Sequence, residues 1–233
     1  MHRRYEKVQR IEKPECDGIL NGTCFVFEKL DGSNGSVWLD KEGRICCGSR
    51  NQQISRGNQI KHELWGFVDW VRDSAPIRRL LAEHPRLRLY GEWLVHHTIL
   101  YPKDAYNKFY IFDVYDHESE RYLVYDEYSS LLEEYGVLYL KPFDVLENPT
   151  VDDLKEMLGR SQFDIPQAEG IVVKNYDFVN RHGHSPYGKM VTKEFREVNA
   201  MVFNHAPRSF SVETRIISRY VTKARVSKFV SKI

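Results

Sequence analysis

Among the features of this sequence, the stretch FVFEKLDGSNGSVW at residues 25–38 places the strongest restriction on the folds that the chain can adopt. Phe25, Phe27 and Lys29 occupy alternate positions, so a β-strand here places the lysine on the same face as two aromatic rings. The letters DGSNG that follow contain two turn dipeptides and predict that the chain reverses into a second strand. A lysine on such a face is either a gatekeeper that prevents an edge strand from pairing with another chain, or an amine whose charged form is disfavoured by apolar surroundings.

Composition supports a reduced, water-soluble protein with a sizeable core. The 233 residues are 42% hydrophobic and 13% aromatic, enough for one large domain or for one domain with a small appendage. No apolar run approaches the length of a membrane span, and the start MHRRYEKVQR lacks the apolar core of a signal peptide. The four cysteines form no paired C-x-x-C motif, which argues against a zinc site or a disulfide framework. We expect a cytoplasmic protein.

The charge is uneven along the chain. The net charge is only +1, yet residues 204–233 contain seven basic residues and one acid. Arg215, Arg219 and Lys223 recur at four-residue spacing beside an apolar helical stripe. Such a stripe is either a solvated face or a surface that contacts the phosphates of a polyanion. We therefore divide the chain into a body, 1–203, and a basic helical C-terminal extension, 204–233.

The body mixes strands and helices without an internal repeat. Helical spacing predicts helices over residues 59–73 and 77–84, and Asp126 and Thr150 are predicted to cap two more. Alternating or buried-type apolar patterns predict strands over residues 23–30, 36–39, 44–48, 86–95, 108–115, 121–125 and 169–175. The expected class is α+β, built around antiparallel sheets.

Charged residues interrupt the apolar pattern at five places. One such interruption is ordinary, but five that combine lysines, an arginine and glutamates indicate a groove for a phosphorylated ligand and a divalent cation. The stretches are EKLDG at 28–32, SRN at 49–51, YGEW at 90–93, AEGIVVK at 168–174 and GKMVTKEF at 188–195.

In this order the stretches resemble the motifs of the covalent nucleotidyltransferases, which include ATP-dependent ligases and mRNA capping enzymes. The K-x-D-G of Lys29–Gly32 resembles motif I, YGEW motif III, FYIFDVY at 109–115 motif IIIa, EGIVVK motif IV, and GKMV motif V. The runs FEKLDGSN, GEWLVHHTILY and KFYIFDVYD are similar to those of RNA ligases, especially short phage-type members. The resemblance covers roughly residues 5–200 and implies the ATP-grasp-like adenylation fold of ligases, with antiparallel sheets flanking a nucleotide groove.

The resemblance makes Lys29 the catalytic nucleophile. It would attack the α-phosphate of ATP, release pyrophosphate and become a lysyl-adenylate. A free lysine with a pKa of about 10.4 is almost entirely protonated near neutral pH. Desolvation by Phe25 and Phe27, with Lys189 nearby, would lower that pKa. The motif context therefore favours the catalytic role over the gatekeeper role.

The resemblance also implies contacts to the nucleoside. Glu28 would contact the adenine edge and Phe112 would stack on the adenine face, whereas without the resemblance they are an exposed strand carboxylate and a core aromatic. Arg50 and Glu92 would hold the ribose. The expected nucleotide is therefore ATP, bound through both its base and its sugar.

Other residues are expected at the phosphates. Glu169 would bind Mg²⁺, with Mn²⁺ as an alternative, and Lys174 and Lys189 would contact phosphates. Asn34 would contact phosphate or metal, or serve only as a turn residue. Asp31 is interpreted as a turn-maker that fixes the loop after Lys29.

Two features depart from the family pattern or compete with it. Many relatives have K-x-K in motif V, whereas here the lysine after Lys189 is Lys193, which would point in a different direction. The pairs His96-His97 and His182/His184 suggest metal ligands, but no third ligand lies in a suitable pattern. We interpret these histidines as loop or RNA-contacting residues.

The prediction for the whole chain is an ATP-dependent RNA ligase. It would join 3′-hydroxyl and 5′-phosphate RNA ends through lysyl-AMP and RNA-adenylate intermediates. The segment after Lys193 has helical spacing rather than the alternating strands of an OB barrel, which disfavours a complete DNA ligase or capping enzyme. The alternatives are a DNA ligase or guanylyltransferase of the same superfamily, or a non-catalytic protein that binds RNA ends.

Overall fold

A computed structural model of the protein describes residues 2–54, 64 and 66–195. Within these residues eleven strands form two sheets, one of six strands and one of five. The strands are β1 Gln9–Arg10, β2 Thr23–Lys29, β3 Ser33–Leu39, β4 Ile45–Ser49, β5 Gln53–Ile54, β6 Leu87–Trp93, β7 Phe109–Asp116, β8 Arg121–Tyr122, β9 Pro142–Glu147, β10 Gly170–Lys174 and β11 Gly188–Val191. The expected α+β class with antiparallel sheets is confirmed.

The α-helices in the described part of the chain are short. They are α1 Phe67–Asp73, α2 Ala75–Glu83, α3 Tyr125–Glu134 and α4 Val151–Glu156, and two 3₁₀ turns cover Pro14–Cys16 and Lys103–Ala105. The predicted cap at Thr150 is confirmed, because its hydroxyl accepts from the Asp153 amide while the Asp153 carboxylate accepts from the Thr150 amide. Most of the helix predicted over 59–73 lies outside the described residues.

The six-stranded sheet has the order β5-β4-β3-β6-β7-β8, and every neighbouring pair is antiparallel. One of its faces packs against helices α1, α2 and α3. The core between them includes Val37 and Leu89 from the sheet and Phe67, Leu80 and Leu132 from the helices, all fully buried. The opposite face is left to form one wall of a groove.

The five-stranded sheet has the order β1-β11-β10-β2-β9. Strand β2 pairs antiparallel with both β10 and β9, whereas β1 pairs parallel with β11. The back of this sheet packs Ile11, Val26, Ile171 and Met190 together with Leu154 of α4. Its front carries Lys29, at the end of β2.

The hairpin predicted from DGSNG is wrong. Strands β2 and β3 belong to different sheets, so the chain crosses at Asp31-Gly32 from one sheet to the other instead of folding back on itself. The reason is that β6, not β2, pairs with β3: Asn34 lies opposite Glu92 and Gly35 opposite Gly91. The letters SNG therefore begin a strand, and only DG turns.

A β-bulge in β7 changes the direction of two side chains. Asp113 lies opposite Tyr90 and Ile111 opposite Gly91, so Phe112 is an extra residue in the ladder. Ile111 and Val114 both pack in the helix-side core although they are three positions apart. Phe112 and Asp113 therefore both turn away from that core, toward the groove.

The chain consists of two compact units, Met1–Met190 and Val191–Ile233. The predicted boundary between residues 203 and 204 lies beyond the described residues and stays a prediction, as does the helical C-terminal extension. Within the described ranges, no helix combines the length and apolar character needed to cross a membrane.

Candidate active site

A cavity of about 440 Å³ is lined by residues of both sheets of the first unit. This size is in the range of small-molecule sites. The cavity brings together residues from all five of the charged stretches described above. It is lined by all eight residues predicted as nucleophile or nucleotide contacts, namely Glu28, Lys29, Asn34, Arg50, Glu92, Phe112, Lys174 and Lys189.

Lys29 and Glu169 form an ion pair in this groove. The Lys29 Nζ lies 2.6 Å from Glu169 Oε1, and the two side chains are 24% and 9% exposed. Their strands are neighbours, and Gly170, the residue after Glu169, lies directly opposite Lys29. Burial raises the pKa of the Glu169 carboxyl, and the charge of Lys29 opposes that shift.

The turn after Lys29 is fixed by β6 and by the loop that follows it. Asp31 Oδ2 accepts hydrogen bonds from the amides of Thr98 and Ile99, both at 2.7 Å. The Gly32 amide donates to Glu92 Oε1, and a Cβ on Gly32 would lie only 2.6 Å from the Trp93 carbonyl oxygen. Any larger residue would push the turn away from β6. Asp31 therefore holds the loop, as expected.

Two polar groups on the wall formed by β3 and β4 have no protein partner among the described residues. Asn34 Oδ1 and Arg50 Nε are buried, and neither forms a hydrogen bond within that part of the chain. Beside them, burial raises the pKa of Glu92 to about 8. Buried polar atoms in proteins are nearly always satisfied, so these groups fit a polar ligand such as a sugar or a phosphate.

Glu28 is engaged with the protein. Its carboxylate accepts hydrogen bonds from the Ser161 hydroxyl and the Gln162 amide, both at 2.7 Å. Burial raises its pKa, and these two hydrogen bonds oppose the shift. The expected contact with adenine stays a prediction, whereas the contact in the structure holds the loop at 161–162.

Lys174 links the two sheets beneath the groove. Its Nζ donates to Asp113 Oδ1 at 2.7 Å and to the Phe112 carbonyl at 2.5 Å, and its side chain is 2% exposed. The Lys174 ammonium lies 4.9 Å from the centre of the Phe27 ring, the ring that was expected to desolvate Lys29. Phe27 therefore has Lys174 as a cationic neighbour. The predicted phosphate contact of Lys174 is untested, but its ammonium is directed at protein acceptors.

Tyr5 belongs to this network and was missed in the sequence. Its hydroxyl donates to Asp113 Oδ2 at 2.5 Å, and its ring centre lies 5.1 Å from that of Phe112. Tyr5 also lines the cavity. It sits in a non-regular segment with no periodic pattern, so no local signal distinguishes it from any other buried tyrosine. Phe112 is thus supported from below by a side chain of the N-terminal segment.

Lys189 completes the cationic side of the groove. Burial lowers the pKa of Lys189, and the positive charge of Lys29 lowers it further, while Glu169 has the opposite effect. Because the charges of Lys29 and Lys189 repel each other, they favour an anion beside them. The position fits the predicted phosphate contact.

The described residues contain no group of three or more His, Cys, Asp or Glu side chains arranged to hold a metal ion. A single carboxylate such as that of Glu169 fits a cation such as Mg²⁺, which is commonly held by one or two carboxylates together with substrate phosphates and water.

Several predicted residues cannot be compared with this cavity. Arg215, Arg219 and Lys223 lie outside the described residues, and their RNA-binding role stays a prediction. Lys193 belongs to the second unit.

The comparisons with known proteins agree with the motif assignment. The family model described as RNA ligase matches residues 22–191, and no curated protein matches the chain. Three similar solved structures are of Naegleria gruberi RNA ligase. An apo variant aligns with a TM-score of 0.64 at 23% identity, a complex with PPi with 0.62 at 25%, and a variant with ATP and Mn with 0.63 at 23%. Each covers 82% of this chain, which spans only 56 to 57% of theirs.

Proposed function

The chain belongs to the RNA ligase family, and from that premise we propose that it is an ATP-dependent RNA ligase with a nucleotidyltransferase fold. It would join a 3′-hydroxyl to a 5′-phosphate RNA end through a lysyl-AMP and an RNA-adenylate. One observation carries the proposal: eight residues chosen from the sequence for this chemistry line a single cavity. Glu169, the ninth, contacts the nucleophile.

The first step is the transfer of AMP to Lys29. The neutral amine is the nucleophile, so the Lys29 ammonium first gives a proton to solvent water. A bond then forms between Nζ and the α-phosphorus of ATP while the bond from that phosphorus to the bridging oxygen breaks, and pyrophosphate leaves. Lys189 lies on the same side of the groove and would stabilise the negative charge that develops on the phosphates.

The nucleoside would bind between the sheets. Phe112 would offer its ring to the base, Asn34 Oδ1 would accept a hydrogen bond from a sugar hydroxyl, and Arg50 Nε would donate to the sugar or the α-phosphate. Burial raises the pKa of Glu92 to about 8, and in its protonated form Glu92 would donate a hydrogen bond to a ribose oxygen. A divalent cation at Glu169 would neutralise phosphate charge and orient the leaving pyrophosphate.

Two further steps would use the RNA. An oxygen of the 5′-phosphate attacks the phosphorus of lysyl-AMP, which releases Lys29 and gives an RNA-adenylate. The 3′-hydroxyl then attacks the RNA 5′-phosphorus, the phosphodiester forms, and AMP leaves. In both steps the RNA phosphate must lie beside Lys29 and Lys189, where the groove is cationic.

The test is the intact mass of the protein after incubation with ATP and Mg²⁺. We expect wild type to gain one AMP and Lys29→Ala to gain none. Lys155→Ala is the matched control, because Lys155 is an exposed lysine of α4 that pairs with exposed Asp152. An absence of AMP on wild type would overturn the ligase mechanism, and AMP on Lys29→Ala would overturn the choice of nucleophile.

Three further assays separate the alternatives. Labelling by GTP but not by ATP would indicate a guanylyltransferase. Sealing of nicked DNA in preference to RNA would indicate a DNA ligase. Binding of RNA ends without any nucleotide transfer would indicate a non-catalytic binding protein.

A further inference from the structure

Arg10 lies on the edge strand of the five-stranded sheet, beside a residue of the proposed site. Strands β1 and β11 run parallel, and Arg10 is the direct partner of Lys189 in their ladder. The Ile11 amide donates to the Lys189 carbonyl at 3.1 Å, which fixes this register. Paired residues of neighbouring strands project from the same face of a sheet. Arg10 and Lys189 therefore share a face.

That face is the one on the cavity side. Ile11 and Met190, which follow Arg10 and Lys189 respectively, both pack into the core on the back of the sheet. Val8, two residues before Arg10, lines the cavity, as does Lys189. Because side chains alternate along a strand, Arg10 projects toward the mouth of the groove.

Arg10 also extends a row of charges that begins at the nucleophile. From β2 to the sheet edge the row contains Lys29, Glu169 beside it, Lys189 and Arg10. The strand of Arg10 is three strands away from that of Lys29, a separation of about 14 Å at the usual strand spacing. Arg10 is exposed, and no acid among the described residues lies within ion-pair distance of it. The charges of Arg10 and Arg50 both act on Lys189.

We propose that Arg10 and Lys189 form a phosphate subsite beyond the α-phosphate position. This inference rests on the proposed function, which places the α-phosphorus at Lys29. The ligand is a phosphate group, supplied either by the pyrophosphate portion of ATP or by the RNA strand. The planar guanidinium offers paired N–H donors to such a group, and Lys189 adds a second charge from the neighbouring strand.

Binding of inorganic pyrophosphate with Mg²⁺, measured by calorimetry, tests the subsite without requiring catalysis. We expect Arg10→Gln to weaken binding roughly tenfold, the size of one charged hydrogen-bonding contact, and Arg10→Lys to restore part of the loss. Arg4→Gln is the matched control, because Arg4 is an exposed arginine next to Tyr5, which faces the cavity. It should bind pyrophosphate as wild type does.

A second measurement, the sealing of pre-adenylated RNA without ATP, identifies the source of the phosphate. Weaker pyrophosphate binding with unchanged sealing assigns the subsite to ATP, and the reverse assigns it to the RNA strand. Arg10→Gln that matches wild type in both measurements overturns the subsite. Wild type that binds pyrophosphate but never gains AMP overturns the proposed function instead, so the two failures are distinguishable.

Discussion

Lys29 Nζ lies 2.6 Å from Glu169 Oε1, so the proposed nucleophile and the proposed metal ligand form an ion pair. A cation that binds Glu169 must compete with the Lys29 ammonium for the same carboxylate. Nucleotide and metal binding would therefore separate the pair and leave the lysine beside the α-phosphate. The carboxylate would then have two partners, Lys29 before the reaction and the cation during it.

The first prediction concerns Glu169. We expect Glu169→Ala to reduce the rate of AMP transfer by at least about a hundredfold, since the phosphates lose the cation that offsets their charge. The rate is measured by intact mass at several Mg²⁺ concentrations, and circular dichroism checks the fold. Glu156→Ala, at an exposed glutamate of α4, is the control. Near-normal transfer by a folded Glu169→Ala protein would remove this residue from the metal site.

The second prediction concerns Tyr5 as a positioning residue. Tyr5→Phe keeps the ring against Phe112 but removes the hydrogen bond to Asp113. We expect the KM for ATP in AMP transfer to rise severalfold with little change in kcat, and Tyr5→Ala to raise it further. Tyr135→Phe is the control, because that hydroxyl bonds Glu83 outside the cavity. A fall in kcat at constant KM would contradict the assignment.

The third prediction separates the two possible roles of Lys174. Its ion pair with Asp113 is buried, so Lys174→Ala should lower the free energy of unfolding by about 3–5 kcal/mol. Lys155→Ala removes an exposed ion pair and should change it by less than about 1 kcal/mol. Denaturant unfolding gives both values. A Lys174→Ala protein of normal stability that transfers AMP poorly would instead support the phosphate contact.

The fourth prediction concerns pH and Glu92. Burial raises its pKa to about 8 in the folded protein, against an ordinary value near 4.3. The folded state thus holds a proton that the unfolded state has lost, and this contribution to stability disappears as the pH rises toward and through 8. Glu92→Gln should gain in Tm relative to wild type between pH 5 and pH 8.5. Glu156→Gln should show no such trend, and a constant difference for Glu92→Gln would exclude the shifted pKa.

The fifth prediction concerns the basic extension. Replacing Arg215, Arg219 and Lys223 by glutamine should leave AMP loading of Lys29 nearly intact but weaken RNA binding and sealing. The slope of log binding constant against log salt should flatten by roughly two, for three lost phosphate contacts on a single strand. A triple replacement of the exposed Lys41, Lys103 and Lys155 serves as control. Unchanged sealing by the first variant at every salt concentration would make the stripe a solvated face.

The main strands were predictable because their patterns are local. Strands β2, β6, β7 and β10 and the capped helix α4 occur where alternation, buried apolar runs and the Thr150–Asp153 pair predict them. Strands β1, β5 and β9 were missed. Strands β1 and β5 have only two residues each, and β9 is largely exposed, so none of them shows an apolar period.

The order of the motifs predicted which residues would meet in the site. It did not predict the side chains with which those residues pair. Nothing in EGIVVK indicates that Lys174 pairs with Asp113, because that contact depends on how the two sheets face each other. The DGSNG hairpin failed for a similar reason: a turn dipeptide specifies a reversal of direction but not the strand that will be paired afterwards. The positions of Tyr5 and Arg10 depend on packing and sheet pairing with residues that are far away in the sequence.

Because of the bulge at Phe112, the number of residues in β7 matters as much as their identity for which side chains face the groove. Deleting a single residue between Ile111 and Val114 would restore a regular two-residue alternation. Either the aromatic ring or the carboxylate would then be lost from the groove side, or every later side chain of the strand would exchange faces. A one-residue deletion here should therefore damage nucleotide binding more than most substitutions in the same strand, even if every remaining residue were kept.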